Sequence, residues 1–249
     1  MSVDTVGIIC GSGMTRLHGL EVIESQRVDT PFGAPSGAII HARLGGGQGY
    51  FVARHGNDHM LAPHEVNYRA NIWALKHIGI DRIIAVNTVG AINPELAPGE
   101  LLLPDQIIDY TWGRAQTFHE ALNGPVAHID FTGPYSDSVR RILTRAAADA
   151  GVPLRAGGVY GATQGPRLET RSEINRMERD GCDVVGMTGM PEAALARELE
   201  IEYACCAVVV NMAAGRGGNE QSIHSEIELH MDQGMGRVWN ILAQLLNDL

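Results

Sequence analysis

The chain has 249 residues, of which 45% are hydrophobic and 19% are charged, and its formal net charge is −10. This composition is typical of a globular protein with a sizeable core. The acidic balance excludes a general nucleic-acid binder, which needs a basic surface. It is compatible with a pocket for one small anion, since one or two arginines suffice. Because no repeat or linker divides the sequence, we expect a single domain over residues 1–249.

The four cysteines each lie in an apolar run and lack the CxxC spacing of a zinc site or a redox pair. We expect them to be small buried thiols of a reducing compartment. The N-terminal stretch has no basic region before a long apolar run, and no segment approaches 18 apolar residues. We therefore expect a cytoplasmic protein without a signal peptide and without a membrane partner.

The first half of the chain alternates short β-branched runs with one helical pattern. In order, these predict a strand at Val6–Cys10, a hairpin over 39–54, a helix over 64–78, and strands over 82–86 and Leu101–Leu103. The hairpin turns at Gly45-Gly46-Gly47.

The second half begins with residues 112–135, whose polar composition predicts a long loop of the kind that is often functional. A capping box at Thr170–Glu173 opens one helix there, and other helices are predicted over 136–150, 191–199 and 226–249, the last interrupted near Gly234 and Gly236. Strands are predicted over 158–163, 182–187 and 203–210. The alternation of strands and helices indicates an α/β domain.

Polar residues follow several of these predicted strands. Gly11-Ser12-Gly13, Arg54-His55, Asn87-Thr88 and Thr188 all come after β-branched runs. In open α/β sheets, ligands bind beyond the carboxyl ends of the strands. Three hydroxyls and a guanidinium, from Ser12, Arg54, Thr88 and Thr188, would meet at one edge and suit phosphate. Taken alone, Gly11-Ser12-Gly13 is equally compatible with an ordinary turn, and Arg16 stands where a dinucleotide fingerprint needs glycine.

Two other interpretations of the region around Arg54 stay open. His55, His59 and His64 could hold a metal ion, although Gly56-Asn57-Asp58 is a poor helix interior and no carboxylate motif completes the set. A solvated loop is the plainer alternative. We rank phosphate first, a solvated loop second and metal third, and we treat Asn211, at the end of the most apolar strand, as either a cap or a ligand contact.

Taken together, these segments resemble the purine nucleoside phosphorylase and methylthioadenosine phosphorylase family over nearly the whole chain. The runs that carry the resemblance are the early Gly-Ser-Gly, D-T-P-F-G at 29–33, A-R-H-G at 53–56, V-N-Y at 66–68 with A-N-I-W-A-L at 70–75, Q-G-P-R at 164–167, and G-M-T at 186–188 with P-E at 191–192. Their order and spacing are far more specific than any one of them. The resemblance implies a mixed central β-sheet flanked by helices.

The resemblance also implies phosphorolysis without a cofactor, in which inorganic phosphate attacks C1′ of a purine nucleoside. The implied phosphate ligands are Ser12, Arg54, His55, Thr88 and Thr188, and the implied substrate contacts are Leu168, Glu169, Gly186, Met187 and Asn211. Arg54 and Asn211 would be catalytic. His128 matches a position that reaches the 5′ end of the ligand in a neighbouring subunit, which implies a homotrimer with sites near its interfaces.

Two departures from the adenosine-type pattern concern the base. The chain has Asn211 and Ala213 where methylthioadenosine phosphorylases have aspartates, and Glu169 where they have serine. An ionised glutamate only accepts, which suits the N1–H of a 6-oxopurine, whereas an asparagine can donate to O6 or N7. We therefore expect hypoxanthine-type nucleosides to be preferred over adenine-type nucleosides.

The sequence is less decisive about the 5′ group. Ile223 and Ile227 are four residues apart and could line an apolar pocket for a 5′-methylthio group, or face the core. His224 lies near the position where ordinary nucleoside phosphorylases bind a 5′-hydroxyl. We expect a 5′-methylthio nucleoside, with a general inosine and guanosine phosphorylase second and a methylthioadenosine phosphorylase third. A zinc hydrolase and a non-catalytic nucleotide sensor are remote alternatives.

Overall fold

The computed structural model describes residues 5–11, 19–56, 60–119, 127–217 and 223–249, with the side chains of 223–226, 228 and 229 outside that description. Within these ranges the strands are β1 (Val6–Cys10), β2 (Leu20–Gln26), β3 (Ile39–Leu44), β4 (Gly47–Ala53), β5 (Arg82–Ala91), β6 (Leu101–Leu103), β7 (Gln106–Asp109), β8 (Arg155–Ala156), β9 (Val159–Ala162), β10 (Val184–Gly186) and β11 (Glu202–Met212). The helices are α1 (Tyr68–His77), α2 (Asp137–Asp149), α3 (Arg171–Arg179), α4 (Glu192–Glu198) and α5 (Ile223–Asn247).

All these strands belong to one mixed sheet, as predicted. Its main order is β2-β3-β4-β1-β5-β10-β9-β7, and β11, β6 and β8 branch from β5. Strands β4, β1, β5 and β11 run parallel, while β2, β3 and β4 form antiparallel pairs. Strand β10 runs antiparallel to β5 and parallel to β9.

The sheet has a gap beside the middle of β5. On one flank of β5, β1 pairs with it from Arg82 to Val86, and β10 pairs with it only at Gly90 and Ala91. Because β1 is parallel and β10 antiparallel to β5, the carboxyl ends of both strands point toward the unpaired stretch between them. Asn87 and Thr88 lie in that stretch, so their side chains sit where two strand ends converge.

Helices cover both faces of the sheet because the central strands alternate their side chains between two cores. Ile9 of β1 packs in a core with Ile72 of α1 and residues of α4. Ile8, its neighbour, packs in a second core with Val139 of α2 and Trp239 of α5. A parallel sheet that is covered on both faces has strands that are apolar at nearly every position, and every residue of β1 is buried.

Most predicted elements are confirmed, and the errors have local causes. The helix predicted from residue 64 begins at Tyr68, because the Asn67 side chain caps it by accepting from the Ala70 amide. The strand predicted to end at Val86 continues to Ala91, so Asn87 and Thr88 lie within β5 and not after it. The last helix runs unbroken over Ile223–Asn247, because Gly234 faces β11 and a Cβ there would meet Val208. The short or exposed strands β2, β7 and β8 were not predicted.

The four cysteines are free and buried, which agrees with the prediction of small buried thiols. None of the helices in the described ranges combines the length and apolar character needed to cross a membrane. The described parts of residues 112–135 contain no helix or strand, as predicted for a long loop.

Gly47 is required where the hairpin meets the end of α5. A Cβ built on Gly47 would lie 1.9 Å from the Leu246 carbonyl oxygen, so the helix would have to move. We predict that Gly47→Ala lowers the free energy of unfolding by about 3 kcal/mol, the upper range for overpacking. Urea unfolding at constant m-value measures this.

Gly236→Ala is the matched control for that substitution. Gly236 is exposed on α5 and a Cβ there meets nothing within 4 Å. It should gain up to about 1 kcal/mol of stability because alanine favours the helix. Equal stability of the two variants would contradict the packing argument.

Candidate active site

A cavity of about 230 Å³ occupies the gap beside β5. Its wall is formed by the ends of β1, β4 and β10, by β5, β11 and α5, and by the loop before α3. The lining residues are Gly11, Arg54, His55, Pro63, Thr88, Val89, Gly90, Leu168, Glu169, Val185, Gly186, Met187, Thr188, Val210, Asn211, Ala213, Ala214, Ile227 and Met231.

A buried ion pair stands at one end of this cavity. Arg54 follows β4 and Glu192 opens α4, and their side chains are only 1% and 0% exposed. Arg54 Nε and Nη2 donate to the two Glu192 carboxylate oxygens at 2.7 and 2.8 Å. Burial alone lowers the pKa of the Arg54 guanidinium, but the charge and hydrogen bond of Glu192 outweigh it and raise that pKa. Arg54 therefore remains a cation in the cavity wall.

Tyr203 and Asn87 complete the network around this pair. The Tyr203 hydroxyl donates to Glu192 Oε1 at 2.8 Å. Asn87 Oδ1 accepts from Arg54 Nη2 at 3.1 Å, and Asn87 Nδ2 donates to Thr188 Oγ1 at 3.0 Å. Since the Thr188 oxygen already accepts a hydrogen bond, its own hydrogen can turn to the cavity that Thr188 lines.

The remaining face of Arg54 lies beside Gly11 and His55. Arg54 Nη1 donates to the Val86 carbonyl at 3.2 Å, which uses one of its two N–H groups. A Cβ on Gly11 would lie 3.4 Å from Nη1, so the bare backbone leaves this nitrogen accessible. His55 Nδ1 donates to the Leu61 carbonyl at 2.7 Å, an assignment that follows from its partner being an acceptor. A cation, hydroxyls and backbone thus surround a space suited to an anion.

Another polar part of the wall contains Glu169 and Asn211. Glu169 Oε1 accepts from the Thr163 hydroxyl at 2.6 Å. Asn211 follows a bulge in β11, where Val209 pairs with Val89 and Asn211 pairs with Gly90, and bulges commonly re-aim a side chain beside a site. Asn211 Nδ2 donates to the Met212 carbonyl at 2.7 Å, which fixes the amide plane and leaves its second N–H for a ligand.

Arg114 connects the loop after β10 to the loop after β9, both of which contribute residues to the cavity wall. Its guanidinium donates to the carbonyls of Met187 and Met190 at 2.9 and 2.6 Å, and to those of Thr163 and Gln164 at 3.2 and 2.8 Å. Gly186 can lie in the wall only as glycine, since a Cβ there would come within 2.1 Å of the Tyr160 hydroxyl. The hydrogen bond from Arg114 to the Met187 carbonyl helps to fix the backbone at Met187.

A third part of the wall is apolar. Val210 and Ala213 contribute from the end of β11 and the residues after it, and Ile227 and Met231 contribute from successive turns of α5. Ala213 is small and buried. This part of the cavity suits an uncharged, apolar group.

The structure brings most of the predicted site residues into this one wall. Ser12 and the Ile223 side chain lie outside the described residues. His128 is exposed and does not line the cavity, so within this chain it stands apart from the other predicted contacts. The interpretation of 54–55 as a solvated loop is wrong, because Arg54 and His55 are buried.

Sequence analysis assigned no site role to Tyr203, Arg114 or Thr163, and it included Glu192 only in the P-E run of the resemblance. A buried arginine requires a compensating negative charge, so burial of Arg54 would indicate a carboxylate partner. Nothing in the sequence indicated that Glu192 is that partner. Among the described residues, no group of three or more His, Cys, Asp or Glu is placed to hold a metal ion. Of the proposed histidine set, His64 is exposed and does not line the cavity, and His59 lies outside the described residues.

The ion pair yields a prediction about stability. Glu192→Gln keeps the side-chain shape but leaves Arg54 as an uncompensated buried cation, and we predict a loss of about 3–5 kcal/mol in the free energy of unfolding. The double variant Arg54→Met with Glu192→Leu removes both charges and should recover most of that loss. Denaturant unfolding of both variants compares the two losses.

An exposed ion pair supplies the control for this measurement. Lys76 Nζ lies 2.6 Å from Asp81 Oδ1, with side chains 37% and 73% exposed. Asp81→Asn should cost less than about 1 kcal/mol, as is typical of surface pairs. A similarly small cost for Glu192→Gln would show that Arg54 does not depend on Glu192.

Several known proteins are similar in sequence to this chain. The chain is 52% identical over 240 residues to a probable S-methyl-5′-thioinosine phosphorylase of Pseudomonas syringae pathovar tomato, covering 96% of this chain and 97% of that protein. It is 43% identical over 245 residues to a 6-oxopurine nucleoside phosphorylase of Pyrococcus furiosus, covering 96% and 91%.

A solved structure shares the fold. The methylthioadenosine phosphorylase of Schistosoma mansoni in complex with adenine superimposes with a TM-score of 0.91 at 31% identity, covering 98% of this chain and 91% of that one. The model of the phosphorylase superfamily matches residues 5–247. This chain belongs to the phosphorylase superfamily.

Proposed function

We propose that this chain catalyses the phosphorolysis of 5′-methylthio purine nucleosides, preferably S-methyl-5′-thioinosine. Inorganic phosphate attacks C1′, the N-glycosidic bond breaks, and the products are hypoxanthine and 5-methylthioribose 1-phosphate. The observation that carries the proposal is one cavity with three chemically distinct parts: the Arg54 end, the Glu169–Asn211 end and the apolar wall. Those parts correspond to phosphate, a 6-oxopurine base and an uncharged 5′ group.

Phosphate would lie against Arg54, His55, Thr88 and Thr188, with Ser12 as the expected further ligand. The guanidinium and hydroxyl donors hold the anion beneath C1′, where it stabilises the positive, oxocarbenium-like charge that develops on the sugar. The same phosphate is the nucleophile, so orientation and charge stabilisation come from one set of contacts. The chemistry needs no metal or organic cofactor, because phosphate is itself a substrate.

The leaving base gains negative charge as the glycosidic bond breaks. The second N–H of Asn211 can donate to O6 or N7 and stabilise that charge, while Glu169 accepts the N1–H of a 6-oxopurine. Leu168 and Gly186 would border the base, and Met187 would lie along the ribose. The names of the relatives above, a probable methylthioinosine phosphorylase and a 6-oxopurine phosphorylase, favour the same base class.

The 5′ end would lie against Ile227 and Met231, with Ile223 as a further candidate. We propose a homotrimer in which exposed His128 reaches the 5′ end of the ligand in a neighbouring subunit, so that sites lie near the interfaces. The enzyme would act in the cytoplasm in purine salvage, with no nucleic-acid or membrane partner. A general 6-oxopurine nucleoside phosphorylase is the second candidate, favoured by the similarity to the Pyrococcus furiosus relative.

The first prediction from this proposal concerns substrate choice. We expect phosphate-dependent kcat/KM to be highest for S-methyl-5′-thioinosine, about 10³- to 10⁴-fold above S-methyl-5′-thioadenosine, because mismatched polar groups discriminate strongly. Inosine should be slower by about 10- to 100-fold. A spectrophotometric assay on these three nucleosides and adenosine, with and without phosphate, measures this. Equal rates for inosine would favour the second candidate, and a lead for the adenosine compound would refute the role given to Glu169 and Asn211.

The second prediction concerns the apolar wall. Ile227→Ser shrinks the contact with a methylthio group and adds a hydroxyl, so the kcat/KM ratio of S-methyl-5′-thioinosine over inosine should fall about tenfold. Ile142→Ser is the matched control, since Ile142 is a partly buried isoleucine on α2 outside the cavity. An unchanged ratio in Ile227→Ser would place the 5′ group elsewhere.

A further inference from the structure

Thr163 contacts Glu169 but has no part in the reaction proposed above. Glu169 lines the cavity described above and also a neighbouring cavity of about 460 Å³. Of these two cavities, Thr163 lines only the second. Its hydroxyl donates to Glu169 Oε1 at 2.6 Å, and the Gly186 carbonyl at 3.3 Å is the more distant alternative acceptor. Thr163 therefore contacts Glu169 without reaching a ligand in the first cavity.

The backbone of Thr163 is held at a fixed place. Thr163 follows β9, and its N–H donates to the Gly186 carbonyl at 2.8 Å. Its own carbonyl accepts from Arg114 Nη2 at 3.2 Å. Both of its backbone groups are thus bonded to residues at the cavity edge, and the hydroxyl offers Glu169 a stationary donor.

The backbone of Glu169 is anchored on its C-terminal side, where Thr170 opens α3 with a capping box. Glu169 lies in the connection between β9 and α3, next to Leu168, which is 39% exposed. With Oε1 engaged by Thr163, the carboxylate presents its second oxygen, Oε2. An ionised carboxylate only accepts, so this oxygen suits a donor on the ligand and opposes a lone pair.

We propose that Thr163 is a specificity-determining positioning residue for the base, because its hydroxyl fixes the Glu169 carboxylate as an acceptor. The inference rests on the proposed function. A 6-oxopurine places N1–H against Oε2 of the Glu169 carboxylate, whereas a 6-aminopurine places the N1 lone pair against the same oxygen. Without the hydroxyl, the carboxylate can turn, which weakens the contact with the first base and relieves the repulsion with the second.

The test uses two removals of the hydroxyl and one conservative variant. Thr163→Val keeps the side-chain shape, Thr163→Ala avoids placing a methyl group against the carboxylate if the valine variant does not fold, and Thr163→Ser retains the hydroxyl. Thr117→Val is the matched control, since Thr117 donates to Glu198 Oε1 at 2.7 Å outside the cavity. The measurement is phosphate-dependent kcat/KM for S-methyl-5′-thioinosine and S-methyl-5′-thioadenosine with each variant.

We expect the ratio of the 6-oxo to the 6-amino substrate to fall about tenfold in the valine or alanine variant, the size expected for losing one hydrogen bond to a charged group. The 6-oxo rate should carry the loss, while the 6-amino rate stays level or rises. Thr163→Ser should stay within about twofold of the unmodified protein, and Thr117→Val should keep the ratio. An equal decline for both nucleosides would overturn the proposal, because a merely structural role lowers both rates together.

Glu169→Gln separates failure of this inference from failure of the proposed function. If the unmodified protein shows no 6-oxo preference, both are wrong. If it shows the preference and Glu169→Gln loses it while Thr163→Val keeps it, the assignment to Glu169 stands and the role of Thr163 alone is refuted.

Discussion

The arrangement of the site depends on one constraint, the burial of the Arg54 guanidinium at the edge of the sheet. A buried cation must be paired and fully hydrogen-bonded, or its desolvation would destabilise the fold. Glu192 meets that need with both carboxylate oxygens, and Tyr203 and Asn87 occupy the remaining sides of the pair. The guanidinium that these contacts hold also lines the cavity. The contacts that compensate the buried charge of Arg54 thus also fix the position of its guanidinium in the cavity wall.

The topology explains why this cation lies beside groups from distant parts of the chain. Strand β1 is parallel to β5 and β10 is antiparallel to it, so both end at the same unpaired stretch of β5. Asn87 in that stretch bonds Arg54 on one side and Thr188 on the other. Because one shared strand carries the connection, the polar groups of the anion end are held in place by the fold, a form of preorganisation that suits electrostatic stabilisation of developing charge.

Local patterns in the sequence were sufficient for the buried strands, the hairpin and the capping box at Thr170, since those depend on residues close in the chain. They were insufficient where tertiary contacts decide. Strand β5 runs past its polar residues because β11 pairs with it throughout, and β11 lies more than a hundred residues away. Glu192 is 138 residues from Arg54, and no spacing rule links the two. Most predicted contacts converge in one cavity, whereas the residues that position them were found only in three dimensions.

The two ends of the ligand should be discriminated with unequal strictness, for reasons that lie in the chemistry of each wall. Under the proposed assignment, the wrong base would leave Glu169 and Asn211 unpaired or repelled, and such mismatches can cost about 10⁴-fold or more in kcat/KM. The wall of Ile227 and Met231 offers only apolar contact, and apolar pockets reject an added hydroxyl by only about 10²-fold. Exchanging the base class therefore requires changes to polar residues and to those that hold them, whereas substitutions of single apolar side chains suffice to broaden the 5′ group.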